Sequence, residues 1–187
     1  MLLSPQNAKR FMATYERVAI AVHAVSGEQV PANPRTCLAS AREQLQDNPD
    51  LLDEAVSFLQ QRHRPTDREV VEALRQMRLA EWVHLKDLRS GAIFLNPAGT
   101  EAYSTAGLTQ QPSAIIGSRG FLVETALCPF AGTILCDGVF IASAQLGQGL
   151  WRDFHKRYLY LKAAGRLVRD PSLMPTWKQP NSETAQP

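Results

Sequence analysis

Apolar residues recur at helical spacing through the first eighty positions. Ser4-Pro5 starts the first helix, with Ser as cap and Pro where an N–H would be free anyway. Phe11, Tyr15, Val18, Ala19 and Val22 form its apolar face, and Ser26-Gly27 closes it. After a linker from Val30, Asn33-Pro34 caps a second helix through Leu38, Ala41 and Leu45. Asn48-Pro49 repeats the cap ahead of the stripe Leu51, Leu52, Ala55, Val56 and Leu59. Arg64-Pro65 breaks that helix. Thr66 and Glu69 make a capping box for a fourth, through Val70, Val71, Leu74 and Met77.

The period then changes. Trp82 to Leu85 and Ala92 to Leu95 read as strands, and Asn96-Pro97-Ala98-Gly99 turns the chain into a return strand over Glu101 to Leu108. Gln110 to Gly120 is a loop enclosing one helical turn at Ser113 to Ile116. Phe121 to Ser143, FLVETALCPFAGTILCDGVFIAS, places two β-branched runs on either side of a Pro-Phe-Ala-Gly turn, a β-hairpin. A helix from Gly149 to about Arg169 sets Trp151, Phe154, Tyr158, Leu161, Gly165 and Val168 on one face, and Asp170-Pro171 ends it. Helices gathered ahead of consecutive strands predict an α+β fold. Its parts are a helical subdomain over 1–80, a small antiparallel sheet closed by a long C-terminal helix over 81–169, and a disordered tail over 170–187.

From Asn48 to Arg169 the chain resembles a family of uncharacterised bacterial proteins. The shared elements are Asn-Pro-Asp-Leu-Leu-Asp-Glu at 48–54, a Trp-centred start of the sheet at Trp82, and Ala-Tyr-Ser-Thr-Ala-Gly-Leu at 102–108. The most specific is Val123 to Gly138, similar to a family form V-E-x-x-L-L-P-F-x-G-x-I-x-Y-D-G. Cys128 and Cys136 stand where that form has Leu and Tyr, so neither thiol is a family-wide nucleophile. The glycine-rich stretch after Asp-Gly is shortened here to Gly147-Gln148-Gly149. The resemblance implies a domain type and carries no established activity.

Composition narrows the classes further. With 187 residues, 44% hydrophobic and 20% charged, the chain reads as an ordinary globular protein with one substantial core. Twenty basic against 18 acidic residues give a net charge of +2, too weak by itself to argue for nucleic acid. Cys37, Cys128 and Cys136 are an odd set without CxxC spacing, which favours reduced thiols and a cytoplasmic location. The N-terminal residues show no basic leader before an apolar run, and no stretch is long enough for a membrane span.

Within the hairpin, Glu124 and Asp137 are acids among apolar strands, and such acids need a partner or a task. A two-residue Ala131-Gly132 turn sets Phe130 opposite Thr133 and Ala126 opposite Asp137. It leaves the two carboxylates diagonal on one face, roughly 5–8 Å apart. Such a pair can raise one pKa, hold a divalent cation or bind a basic group. In the plainer reading they accept hydrogen bonds from backbone or from arginines of the last helix, and this reading leads. By the same parity Cys128 and Cys136 face opposite ways, which disfavours a disulfide. His23, His63, His84 and His155 are scattered without metal spacing. Ser118-Arg119-Gly120 and Gly147-Gln148-Gly149 are each too short to cradle a phosphate.

The last helix carries Arg152, Lys156, Arg157, Lys162, Arg166 and Arg169 against Asp153 alone. All but Arg157 fall in one arc, able to contact phosphates or an acidic partner, although a solvated face is the plainer reading. Three functions follow. The leading one is a non-enzymatic interaction or regulatory module with an unknown protein partner or an anionic surface. The second is a carboxylate-dependent enzyme, metal-assisted or acid–base, centred on Glu124 and Asp137. The third is a nucleic-acid binder using the basic helix. No cofactor and no resident metal is expected.

Overall fold

The computed structural model describes residues 1–174. Four helices come first: α1 (Pro5–Ser26), α2 (Pro34–Asp47), α3 (Leu51–Gln61) and α4 (Arg68–Arg75). Ser4 Oγ accepts from Asn7 N, and Asn33 Oδ1 accepts from the amides of Arg35 and Thr36, so both caps act as their sequences suggest. Gly27 takes the left-handed conformation (φ 75°) that ends α1. Two caps move. Asp50, without a side-chain bond, directly precedes α3, and Asn48 caps the turn before it, with its Oδ1 accepting from Asp50 N at 3.3 Å. Asp67 rather than Thr66 caps α4, because its carboxylate reaches the amides of both Glu69 and Val70.

Seven strands follow: β1 (Arg78–Leu88), β2 (Gly91–Leu95), β3 (Ala102–Thr105), β4 (Phe121–Phe130), β5 (Thr133–Cys136), β6 (Ile141–Gln145) and β7 (Leu167–Val168). A short helix, α5 (Pro112–Ile116), precedes β4, and α6 (Gln148–Ala163) separates β6 from β7. The sheet runs β5-β4-β1-β2-β3-β7, with β6 also on β4. It is mixed rather than antiparallel, since β7 pairs with β3 in parallel. Just past β3, Ala106 bridges Leu135, donating to Ile134 O at 2.7 Å and accepting from Cys136 N at 2.9 Å. This bridge joins the two sides of the sheet and rolls it into a ring, β1-β2-β3-β5-β4.

Strand alternation divides the side chains. Trp82, Phe94, Tyr103, Val123, Leu127, Ile134 and Cys136 fill the inside of the ring. The outward set splits in two. Val83, Leu85, Ile93, Leu95 and Ala102 pack under Phe154, Tyr158 and Leu161 of α6. Leu79, Ala126, Cys128, Phe130 and Leu135 join one core with the apolar faces of α1 to α4.

The end of the chain departs from expectation. α6 stops at Ala163, where Gly165 (φ 70°) turns the backbone, and Leu167–Val168 becomes a strand. The long helix therefore does not run to Arg169, and it does not close the fold as its last element. Residues 170–174, assigned to the disordered tail, form a 3₁₀ turn over Pro171–Leu173, with Asp170 Oδ1 accepting from Ser172 N at 2.9 Å. The rest of that tail, 175–187, lies outside the described residues.

Candidate functional site

The hairpin turn forms as its residues dictate. Ala131 (φ 50°) and Gly132 (φ 71°) both sit left-handed, the two-residue primed turn that suits strand twist. Phe130 pairs with Thr133 and Leu127 with Cys136, and Asp137 N donates to Ala126 O at 3.0 Å. There the pairing breaks. The chain loops away over 137–140 and returns as β6, so that Glu124 pairs with Ile141. Asp137 occupies the gap left on the edge of β4.

That gap is lined with donors. Asp137 Oδ1 accepts from Thr125 Oγ1 at 2.9 Å, Val139 N at 3.1 Å and Ala126 N at 3.4 Å. Its Oδ2 accepts from Arg42 Nη1 at 3.2 Å and Tyr15 Oη at 3.3 Å. Arg42 also donates to Val139 O at 2.8 Å and, through Nη2, to Glu124 Oε1 at 2.9 Å. Only its Nε lacks a protein acceptor. The side chains of Arg42 and Asp137 are fully buried, whereas that of Glu124 is 31% exposed.

Burial pushes the Asp137 carboxyl above the usual aspartate range, against the opposing pull of Arg42 and the surrounding donors. Burial also draws Arg42 down, but the Asp137 charge and its other acceptors outweigh that and hold its proton more tightly. All five groups facing the Asp137 oxygens are donors, so the acceptor-only carboxylate is the form that fits near neutral pH. Burial, then Asp137, pushes the Tyr15 phenol well up.

Both sequence-selected acids thus meet one guanidinium, with every lone-pair direction of Asp137 in use. The arginine comes from α2, not from the last helix. Arg42 is far from both acids in sequence, and its one local signal is a helical face shared with Leu38 and Leu45, an unusual place for an unpaired charge. Tyr15 read only as core, and its hydroxyl supplies the α1 tie. The arrangement clamps α1, α2, β4 and the 137–140 loop together and closes the Asp137 carboxylate off from solvent, while Glu124 keeps one side open. Among the described residues no group of three or more His, Cys, Asp or Glu could hold a metal ion.

The basic positions disperse. Arg152, Lys156 and Lys162 are exposed on α6, with Lys156 3.8 Å from Asp153. Arg166 and Arg169 lie beyond the helix, so the single arc does not exist; Arg166 Nη2 donates to Thr100 O at 3.3 Å. Cys37, Cys128 and Cys136 are buried free thiols, with Cys128 in the core against the helices and Cys136 inside the ring. Burial pushes Cys136 up to about 12 and raises the other two.

One surface was not anticipated. β6, Ile-Ala-Ser-Ala-Gln, pairs with β4 alone, and all five of its residues are exposed. It carries no charge and no proline, and a bulge at Ser143 is its one irregularity. Beside it lies a cleft of about 530 Å³, walled by Arg35, Thr36, Ala39 and Ser40 on the α2 side and by Phe140, Ile141 and Ala142 on the other. No helix among the described residues is long and apolar enough to cross a membrane. No family model matches the chain, and no curated protein or solved structure gives a significant match.

Proposed function

We propose that the protein is a non-enzymatic interaction module that takes up an extended segment of a partner protein along β6. The observation that supports this most is the free edge itself. A strand exposes a row of N–H and C=O groups on its unpaired side, and proteins with no use for such an edge blunt it with charge, proline or cover. An added strand would gain main-chain hydrogen bonds from β6 and seat alternate side chains in the α2 cleft.

The enzyme reading loses ground because Asp137 is buried against Arg42 and Glu124 shares that cation. The nucleic-acid reading loses ground because Arg166 and Arg169 leave the helix. We place the protein in the cytoplasm on its three unpaired thiols. The kinship we propose is with the family that the 123–138 hairpin resembles.

Selection from a displayed random-peptide library tests the reading. Bound peptides should slow amide hydrogen exchange over 141–145 and lose affinity at least tenfold against Ser143→Pro. Binders that protect another surface, or none after selection, would overturn it.

A further inference from the structure

Two loops that are individually too short for a phosphate cradle are brought side by side. Leu146 N donates to Gly120 O at 2.7 Å, and Gln145 Nε2 reaches Ser118 Oγ at 3.5 Å, drawing Ser118–Gly120 against the residues that lead into α6. Between them opens a cavity of about 410 Å³ lined by Ser118, Arg119, Gln145, Gln148, Trp151 and Arg152. Its lining contains two guanidinium groups and no carboxylate.

The arginines have no ionic partner among the described residues. The acids of the neighbouring elements are engaged elsewhere. Asp87 accepts from Ser113 N at 3.1 Å and bonds His84 Nε2 at 2.8 Å, and Asp153 faces Lys156. More positive charge stands behind the cavity. Lys86 has its Nζ 3.1 Å from His155 Nε2 and 4.7 Å from the centre of the Tyr158 ring. Burial, and after it the nearby charges of Lys162 and Arg119, make the Lys86 ammonium easier to deprotonate.

The lining is also held in place. Trp151 Nε1 donates to Leu85 O at 3.3 Å, and His155 stacks on its ring at 5.1 Å. Gly120 (φ 75°) lies so close that a Cβ there would come within 2.9 Å of Trp151 Cδ1. The Arg119 guanidinium rests over the same indole, 5.2 Å from its centre, which limits its rotamers. A planar fork of this kind matches the oxygens of a phosphate.

We propose that this cavity binds a doubly charged oxyanion, phosphate or the phosphate group of a small phosphomonoester, through Arg119 and Arg152. Hydroxyl and amide donors from Ser118, Gln145 and Gln148 complete the set of groups around it. The site adjoins the end of β6, with which it shares Gln145, and does not depend on a strand being added there. Trp151 and its cation partner give the probe a direct reporter, since an anion drawing on Arg119 alters the charge over the indole.

Titration with inorganic phosphate and with phenyl phosphate at constant ionic strength, followed by calorimetry and tryptophan fluorescence, tests the proposal. Saturable binding at one site is expected, weakened at least tenfold by Arg119→Gln and likewise by Arg152→Gln. Lys156→Gln and Arg169→Gln, which lie outside the cavity lining, should leave it unchanged. Tighter binding of phenyl phosphate would identify a phosphomonoester as the preferred source, and equal binding the bare anion. A non-saturable signal, a response that chloride reproduces, or full binding by either cavity variant would overturn the site. Circular dichroism checks that each variant folds, and either arginine variant alone decides the matter.

Discussion

Replacing Arg42 with Met isolates what the buried clamp contributes. The apolar stem is kept, while the donors to Asp137 Oδ2, Val139 O and Glu124 Oε1 vanish. Asp137 then remains a fully buried carboxylate without its counter-charge. Breaking one partner of such a pair costs about 3–5 kcal/mol, a large share of a typical total of roughly 5–15 kcal/mol. For a chain of this length that corresponds to a fall in Tm of about 6–20 °C.

The pH dependence carries a sign that distinguishes this cause from simple loss of packing. A carboxyl whose pKa is raised on folding is bound to its proton more readily in the native state. Its contribution to stability is therefore greater in acid and declines as pH rises from the unfolded value through the folded one. Without Arg42 the Asp137 carboxyl moves further up, so the deficit of the variant should narrow as pH falls from 7 to 5. Adding Asp137→Asn to Arg42→Met should recover part of the loss, a coupling of about 0.5–3 kcal/mol. Urea unfolding at both pH values measures each quantity. A deficit below about 1 kcal/mol that is flat with pH would refute the clamp, as would a double variant no better than the sum of the two singles.

Asp67→Ala should cost about 1–2 kcal/mol by uncapping α4 and releasing Arg10, whose Nε lies 2.8 Å from Asp67 Oδ2. The Arg10 bond holds the Asp67 carboxyl below its usual range, so this contribution is present above the ordinary aspartate pKa. It is lost as pH falls through the depressed folded value, and acid unfolding curves should converge there. Ala131→Gly or Ala131→Asn should raise Tm, read by thermal unfolding, because alanine at φ 50° gives up about 1–2 kcal/mol in a region that glycine enters freely and asparagine tolerates. A disulfide reagent should find no fast thiol in the native protein and all three after denaturation, since burial keeps each one protonated.

The local rules carried far in this chain. The Ala131-Gly132 turn, its pairing and the opposite facing of Cys128 and Cys136 follow from residues within a dozen positions of one another. Ser4 and Asn33 were readable as caps for the same reason. What escaped was set by distant partners. Arg42 is 95 residues from Asp137 and 82 from Glu124, and no periodicity links positions that far apart. Leu167–Val168 continued the helical stripe of α6, yet Gly165 turns the chain and the open edge of β3 takes those two residues as a strand. Ile141 to Ser143 read as the end of the hairpin's second strand, yet the chain loops out over 137–140 and rejoins β4 in a new register as a separate strand.

The core that α1 to α4 share with the outward face of β4 and β5 bears on how the chain can be dissected. A fragment beginning at residue 48 would retain every strand and the stretch that carries the hairpin resemblance. It would also lack Tyr15 and Arg42, and would present Ala126, Cys128, Phe130 and Leu135 to water. The first two helices are therefore part of the interior of the sheet's outward face and not an appendage to it. Supplied as a separate peptide, residues 1–47 should rescue such a fragment by complementation, much as two halves of a cut protein reassemble around a common interior.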